Sequence, residues 1–258
     1  MNREQISQAE IVGRLGQKPE LEHTTDGTAF TRLSVATSDR YTDKGGEIHE
    51  KTEWHRAVAW GPVAEQIASQ FDKGDSVALT GAMRINSYEK DGAKNRTIEL
   101  HVDKAEPNPD KQLSKNEARL VGVLREDAKT RTLDSGTAMT ILSIATTTMA
   151  NGKEREDWHS VTLWGKTAEA ARDIKAGDSI SVNGSIRHRS VPGPEGQERK
   201  LSAIDCRQFQ VLERSVDRGQ QPPPAPAKDQ DRAPAMPAPA EPARARGRQR
   251  GKGVERDM

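Results

Sequence analysis

The chain has one cysteine, Cys206, which excludes an intramolecular disulfide and any multi-cysteine metal site and fits a reducing compartment. Its place in an apolar–polar alternation reads as a small buried thiol. No stretch approaches the ~20 consecutive apolar residues of a membrane-spanning helix. The amino-terminal MNREQISQAEIVGRLG has no apolar run of the signal-peptide kind, so a cytoplasmic protein with no membrane partner is expected. An excess of one charge is also missing: 40 Lys and Arg stand against 39 Asp and Glu, a net charge of +1. Any attraction to a polyanion must therefore come from where the cations stand. The six histidines (His23, His49, His55, His101, His159 and His188) show no HxxxH or HExxH spacing, and no glycine loop has the pattern that cradles phosphate. No catalytic residue, no metal site and no cofactor is expected, and the chain reads as a non-enzyme.

Aromatic residues are scarce too, at 3% of the chain. All four tryptophans fall in two copies of one motif, Glu53-Trp54-His55 … Trp60-Gly61 and Asp157-Trp158-His159 … Trp164-Gly165. The surrounding sequence repeats with them. TDGTAFTRLSVAT, ending at Thr37, matches DSGTAMTILSIAT, ending at Thr146; Val12-Gly13-Arg14-Leu15 matches Val121-Gly122-Val123-Leu124; and Lys73-Gly74-Asp75 matches Ala176-Gly177-Asp178. The chain is an internal duplication. Between Thr37 and Trp54 the first copy carries five extra residues, a length change expected in a surface loop. Boundaries follow at residues 1–105, a proline-punctuated linker at 106–116, a second copy at 117–215, and a tail at 216–258. The tail holds eight of the fourteen prolines and no aromatic residue, so it is expected to be disordered.

Within each copy the apolar pattern has a period of two, as in half-buried strands. Around Trp54 the even positions are Trp54, Arg56, Val58 and Trp60, and the odd ones are His55, Ala57 and Ala59; the second copy has Trp158, Ser160, Thr162 and Trp164 against His159, Val161 and Leu163. Val161 and Leu163 need a core, whereas Arg56, Ser160 and Thr162 prefer water, so the tryptophans are expected on the open face. Pro62, Ala64, Ile67, Ala68 and Phe71 then give a short helix, echoed more weakly by Ala168, Ala171 and Ile174. A long strand follows, with Gly81 marking a bend or bulge, and a turn at Lys90-Asp91-Gly92 leads to the last strand. The order is strand, strand, strand, helix, strand, strand, with long loops after the second and fourth strands. That order is the layout of the OB-fold, though other small barrels share the pattern, and the fold class expected is all-β: two tandem OB-folds, five-stranded Greek-key barrels each with a short helix.

The first copy closely resembles the bacterial single-stranded DNA-binding protein family. The run Gly13-Arg14-Leu15-Gly16-Gln17-Lys18-Pro19-Glu20, then Ala36-Thr37-Ser38, Thr52-Glu53-Trp54-His55-Arg56 and Lys73-Gly74-Asp75 carry the likeness over about Ala9 to Pro107. The second copy resembles it more loosely, through Asp157-Trp158-His159 and the shared blocks. The resemblance implies four stacking aromatics, here Tyr41, Trp54, Trp60 and Tyr88. Tyr41 and Tyr88 lie in or beside the two loops, where they would extend the Trp54/Trp60 platform. Phosphate contacts are expected from Arg56, Arg84, Lys51, Lys90, Arg96 and Lys44 in the first copy. In the second copy Trp158, Trp164, Arg187 and Arg189 remain, with Lys153, Arg155, Arg199 and Lys200, but Ser160 replaces Arg56. The positions matching Tyr41 and Tyr88 are about Ala150 and Val191. A weaker second face is expected. His55 and His159 point inward, toward packing or subunit contact.

The implied function is sequence-tolerant binding and protection of single-stranded DNA in replication, repair, recombination or mobile-element transfer. An RNA-binding or RNA-chaperone module is one alternative, since stacking does not distinguish sugars; an assembly scaffold with little nucleic-acid affinity is another. Family members usually place four OB domains around one DNA strand, which implies a homodimer of this two-domain chain. The family's acidic tip, which recruits replication and repair enzymes, is not the pattern of the residues ending at Met258, where Arg244, Arg246, Arg248, Arg250 and Lys252 form a basic cluster. Replication and repair proteins stay possible partners, without the family's docking tip.

Overall fold

The computed structural model describes residues 5–42, 45–90, 92–150, 153–193 and 198–215, without the side chains of Met149, Ala150 and Lys153. The expectations for Lys44 and for the 216–258 tail lie outside the described residues, as do those for the side chains of Ala150 and Lys153.

The first repeat runs β1 (Ile6–Leu15), β2 (Glu22–His23), β3 (Ala29–Thr42), β4 (Ile48–Trp60), α1 (Gly61–Gln70), β5 (Ser76–Lys90) and β6 (Ala93–Pro107). The second runs β7 (Lys115–Leu124), β8 (Lys129–Thr132), β9 (Ala138–Ala150), β10 (Lys153–Trp164), α2 (Gly165–Ala170), β11 (Ser179–Pro192) and β12 (Glu198–Glu213). In the first, β1 pairs with both β3 and β5, β3 with β4, β4 in parallel with β6, and β6 with β5, which closes a five-stranded barrel. β7, β9, β10, β12 and β11 close the second in the same order. The helix between the third and fourth barrel strands completes the OB topology in each. On α1, Ala64 and Ile67 are fully buried and Phe71 just beyond it is nearly so, which accounts for their helical spacing.

The expected bulge falls where the sequence places it. The β5–β6 register shifts between Thr80 and Gly81, and a Cβ at Gly81 would lie 2.0 Å from the His101 carbonyl oxygen, so only glycine lets the two backbones approach. Its counterpart Gly184 sits at a shift in β11–β12.

The two long loops turn out to be extended hairpins. β3 and β4 stay paired out to Thr42 opposite Ile48, and β5 and β6 out to Lys90 opposite Ala93. Beyond the barrel both faces of a hairpin meet water, so the apolar alternation stops while the backbone ladder continues. The five extra residues of the first copy lengthen β3 and β4 by one residue each, to 14 and 13 against 13 and 12, and the rest fall in the connection between them.

The repeats do not hang as separate beads. β1 and β7 pair antiparallel from Ile6 opposite Val121 to Val12 opposite Lys115, with the equivalent residues Ala9 and Ala118 facing each other at the centre. All strands thus belong to one 12-stranded sheet, and one apolar cluster runs through both barrels. Where like faces like, the two halves are related by an approximate two-fold axis.

Candidate nucleic-acid interface

On β4 the alternation sorts the motif as the sequence predicts except at Val58, which is buried on the tryptophan face. Glu53, His55, Ala57 and Ala59 are buried, while Trp54 and Trp60 are 53% and 43% exposed and Arg56 is exposed between them. Large exposed indoles on a rigid strand are surfaces awaiting a partner. Trp54 has a floor: a Cβ on Gly16 would come within 2.5 Å of its Cζ3 atom, so the ring rests against glycine backbone with its other side open. The Arg56 guanidinium stands 5.7 Å from the Tyr88 ring centroid and donates to its hydroxyl at 3.3 Å. Trp54, Arg56 and the half-buried Tyr88 are therefore brought together.

At the far end of the same face Trp60 leans on Phe30, with centroids 5.2 Å apart, and Arg32 lies 4.7 Å over Phe30, tethered to Glu22 at 2.8 Å. Phe30 and Arg32 escaped the sequence reading. Once Thr37 is set opposite Glu53, the β3–β4 register puts Phe30 opposite Trp60 and Arg32 opposite Val58 on one face, and that counting would have found them.

Tyr41 is not brought to this platform. It pairs with His49 across the hairpin and stacks on it, with centroids 5.3 Å apart, and alternation from Trp54 gives it the opposite face. It is nonetheless 54% exposed. Lys51 is exposed and bridged to Glu53 at 2.8 Å, and Lys90 is exposed at the end of β5.

Three expected phosphate ligands are instead used between the repeats. Arg84 donates to Asp157 of the second repeat at 3.3 Å and to Thr148; its counterpart Arg187 reaches Glu53 at 3.6 Å and Asp39 at 2.6 Å in the first. Arg96 donates to the Trp158 carbonyl. The acidic residues that open the two motifs drive this arrangement. Asp157 and Glu53, at 3% and 6% exposure, are buried carboxylates that must be paired, and each accepts a backbone N–H from the opposite repeat, of Ile85 and of His188, at 3.3 Å. Neighbouring bonds repeat the symmetry, with Ser7 donating to the Met83 carbonyl at 2.9 Å and Asn116 to that of Ile186 at 2.8 Å.

His55 and His159 lie in the same interface. His55 Nε2 is 2.9 Å from Thr37 Oγ1 and its Nδ1 is 3.3 Å from His188 Nε2; His159 Nε2 is 3.2 Å from Thr146 Oγ1. Burial drives both imidazoles down, to about 3 for His55, where His188 and Arg187 add repulsion, and to about 4 for His159. Both rings are neutral at pH 7. Burial pushes the Cys206 thiol up to about 11, in keeping with an unreactive cysteine.

The second face is less open than its alternation suggests. Trp158 and Trp164 are only half-exposed, and Thr162 is fully buried where a water-facing residue was expected. The Trp158 indole N–H donates to Glu156, which is ion-paired with Arg125. Trp164 lies under Arg189, 5.7 Å from its ring, and donates to Asp205, which Arg189 holds at 3.4 Å. Burial raises the pKa of Asp205. Val191, at the Tyr88 position, is buried with Leu201 and Ala203.

Two closed five-stranded barrels of this topology, one carrying an exposed aromatic and arginine face, define a tandem OB-fold protein. The model of the single-strand binding protein family matches residues 6–107 and again 115–212, and the chain belongs to that family. It is 25% identical over 236 residues to a single-stranded DNA-binding protein of Thermus aquaticus, covering 84% of this chain and 89% of that one. It is 37% identical over 97 residues to single-stranded DNA-binding protein 1 of Xylella fastidiosa, covering 37% of this chain and 71% of that one. The crystal structure of the wild-type Thermus aquaticus protein superposes with a TM-score of 0.68 at 23% identity over 90% of this chain and 100% of that one, a likeness of fold. Among the described residues no cluster of His, Cys, Asp and Glu could hold a metal ion, and no helix is long and apolar enough to cross a membrane.

Proposed function

We propose that the chain binds single-stranded DNA with little sequence preference, chiefly through the first repeat. The observation that carries this is the Trp54–Arg56–Tyr88 constellation, in which Trp54 and Arg56 stand exposed on one face of β4 and the half-buried Tyr88 of β5 meets the Arg56 guanidinium. Every base has a π-face, and each stack contributes ~1–3 kcal/mol, so Trp54, Trp60 and Tyr88 supply enough affinity without reading sequence. Arg56, Arg32, Lys51 and Lys90 neutralise phosphates, and Tyr41 serves a strand that passes round the β3–β4 hairpin. Arg84, Arg96 and Arg187 hold the two repeats in register. Trp158, Trp164 and Arg189 form a reduced second face. Binding of this kind serves replication, repair, recombination or mobile-DNA transfer, and requires no catalytic group.

A homodimer brings four barrels to one strand, and the outer face of the β5–β1–β7–β11 sheet, continuous across both repeats, offers the surface for it. Light scattering should return twice the chain mass; a particle of 28.3 kDa overturns the dimer.

Tryptophan fluorescence titrated with oligo-dT, oligo-U and duplex DNA tests the function. Strong quenching by oligo-dT alone is expected. Equal quenching by oligo-U would make the chain an RNA binder as well, and no quenching by any of the three would leave an assembly role only.

A further inference from the structure

The two repeats differ in what lies beneath the leading tryptophan. Gly16 donates its N–H to the Ser34 carbonyl at 2.8 Å, and Arg125 donates its own to Ser143 at 3.1 Å in the same place in the second barrel. Thr52 stands opposite Ser38, and Glu156 opposite Thr147, again at equivalent positions. Where the first repeat has a glycine floor and a threonine, the second has a cation and an anion. These two are paired with each other, and the Glu156 carboxylate also accepts the Trp158 indole N–H. Their side chains are 22% and 32% exposed, so the pair is partly dehydrated and less screened by salt than a fully exposed one.

We infer that Arg125 and Glu156 form a latch that holds Trp158 against the barrel and closes the second face until a phosphate takes Arg125 from Glu156. This rests on the single-strand binding proposed above and adds its regulation. A phosphodiester presents the oxygen geometry that a guanidinium prefers, so a bound strand competes directly with the carboxylate. Once Arg125 turns to phosphate, Glu156 loses its counterion and the indole its anchor. Arg125 Nε is buried with no hydrogen-bond partner among the described residues, so the closed arrangement leaves one donor unsatisfied. While the latch is shut, Glu156 occupies the cation that a strand would otherwise meet. The second repeat therefore engages after the first and more weakly, by its own residues as well as by the missing aromatics.

The test uses the full chain carrying Trp54→Ala, which leaves the second face to dominate the signal. Glu156→Thr, which installs the first repeat's residue, should raise oligo-dT affinity about tenfold, within the range of one base stack. Glu156→Gln keeps an acceptor for the indole and should give a smaller gain. Glu154→Gln removes the same charge from the same face of β10 at an exposed position and should change affinity less than about twofold. Adding Trp158→Ala to Glu156→Thr should abolish the gain. In the unliganded protein, Glu156→Thr should increase acrylamide quenching of tryptophan emission. Equal gains from Glu154→Gln and Glu156→Thr, or none from the latter while the unmutated chain binds, would overturn the latch. If the unmutated chain fails to bind oligo-dT, the proposed function falls, whereas the acrylamide measurement still decides whether Trp158 is held.

Discussion

Acidification should destabilise this protein through its inter-repeat histidines, by an amount that can be worked out. His159 and His55 are 1% and 3% exposed, with pKa values lowered from 6.5 to about 4 and about 3. In the unfolded chain an ordinary imidazole is protonated about 30 to 1 at pH 5, whereas the buried rings stay neutral. Between the two pKa values the unfolded state binds the extra proton, so stability is full above pH 6.5 and falls as the pH drops toward the folded value. At pH 5 the loss is about 2 kcal/mol per ring relative to neutral pH. That figure is set by the unfolded pKa and holds for any folded pKa well below 5. The two rings together give about 4 kcal/mol, and His188, also lowered by burial, adds in the same direction. Asp205, whose pKa is raised, acts oppositely: its protonation is favoured in the fold, so it gains stability only as the pH approaches the carboxylate range. Urea midpoints at pH 7 and pH 5 for the unmutated chain and for His159→Gln measure the effect. The variant keeps a polar partner for Thr146 and should show a pH-dependent drop smaller by about 2 kcal/mol. The same drop in both proteins would refute the claim that the buried imidazole senses the proton.

Two further outcomes follow from the site. Trp54→Ala should weaken oligo-dT binding about 5- to 150-fold, the span of one stack, and Trp158→Ala less than about threefold, by anisotropy of a labelled oligonucleotide; comparable losses would refute the asymmetry of the faces. Asp157→Ala strips Arg84 and the Ile85 N–H of a shared buried acceptor and should cost about 3 kcal/mol in urea unfolding, while a change below about 1 kcal/mol would mean that the cross-repeat bonds contribute little.

The period of two around Trp54 and Trp158 made the barrels, the inward histidines and the outward tryptophans legible, because burying one face imposes that pattern on the residues themselves. The Gly81 bulge was legible for a similar reason, since only glycine permits so close an approach. Cation partners were not. Arg84 and Arg56 look alike on alternating strands, yet one is claimed by Asp157 across the two-fold axis and the other faces solvent, a distinction set by the β1–β7 pairing and carried by no local pattern. Tyr41, set beside the platform by the resemblance, lies on the other face of a hairpin that is wet on both sides and no longer alternates in polarity, so its register had to be counted from Thr37 and Glu53. The closed second face was hidden in the same way, as Arg125 and Glu156 are distant in sequence and meet only after β7, β9 and β10 assemble.

The β1–β7 ladder makes one polypeptide do what a pair of identical subunits would otherwise do. Dilution cannot separate its halves, because each sees the other at the fixed effective concentration of a short tether. Nor must the halves stay alike: a substitution in one is not copied into the other, as it would be across a true two-fold axis. The chain is in effect a permanent heterodimer, free to keep one face open and to retune the other, and a strand laid across it meets two different surfaces in a fixed order.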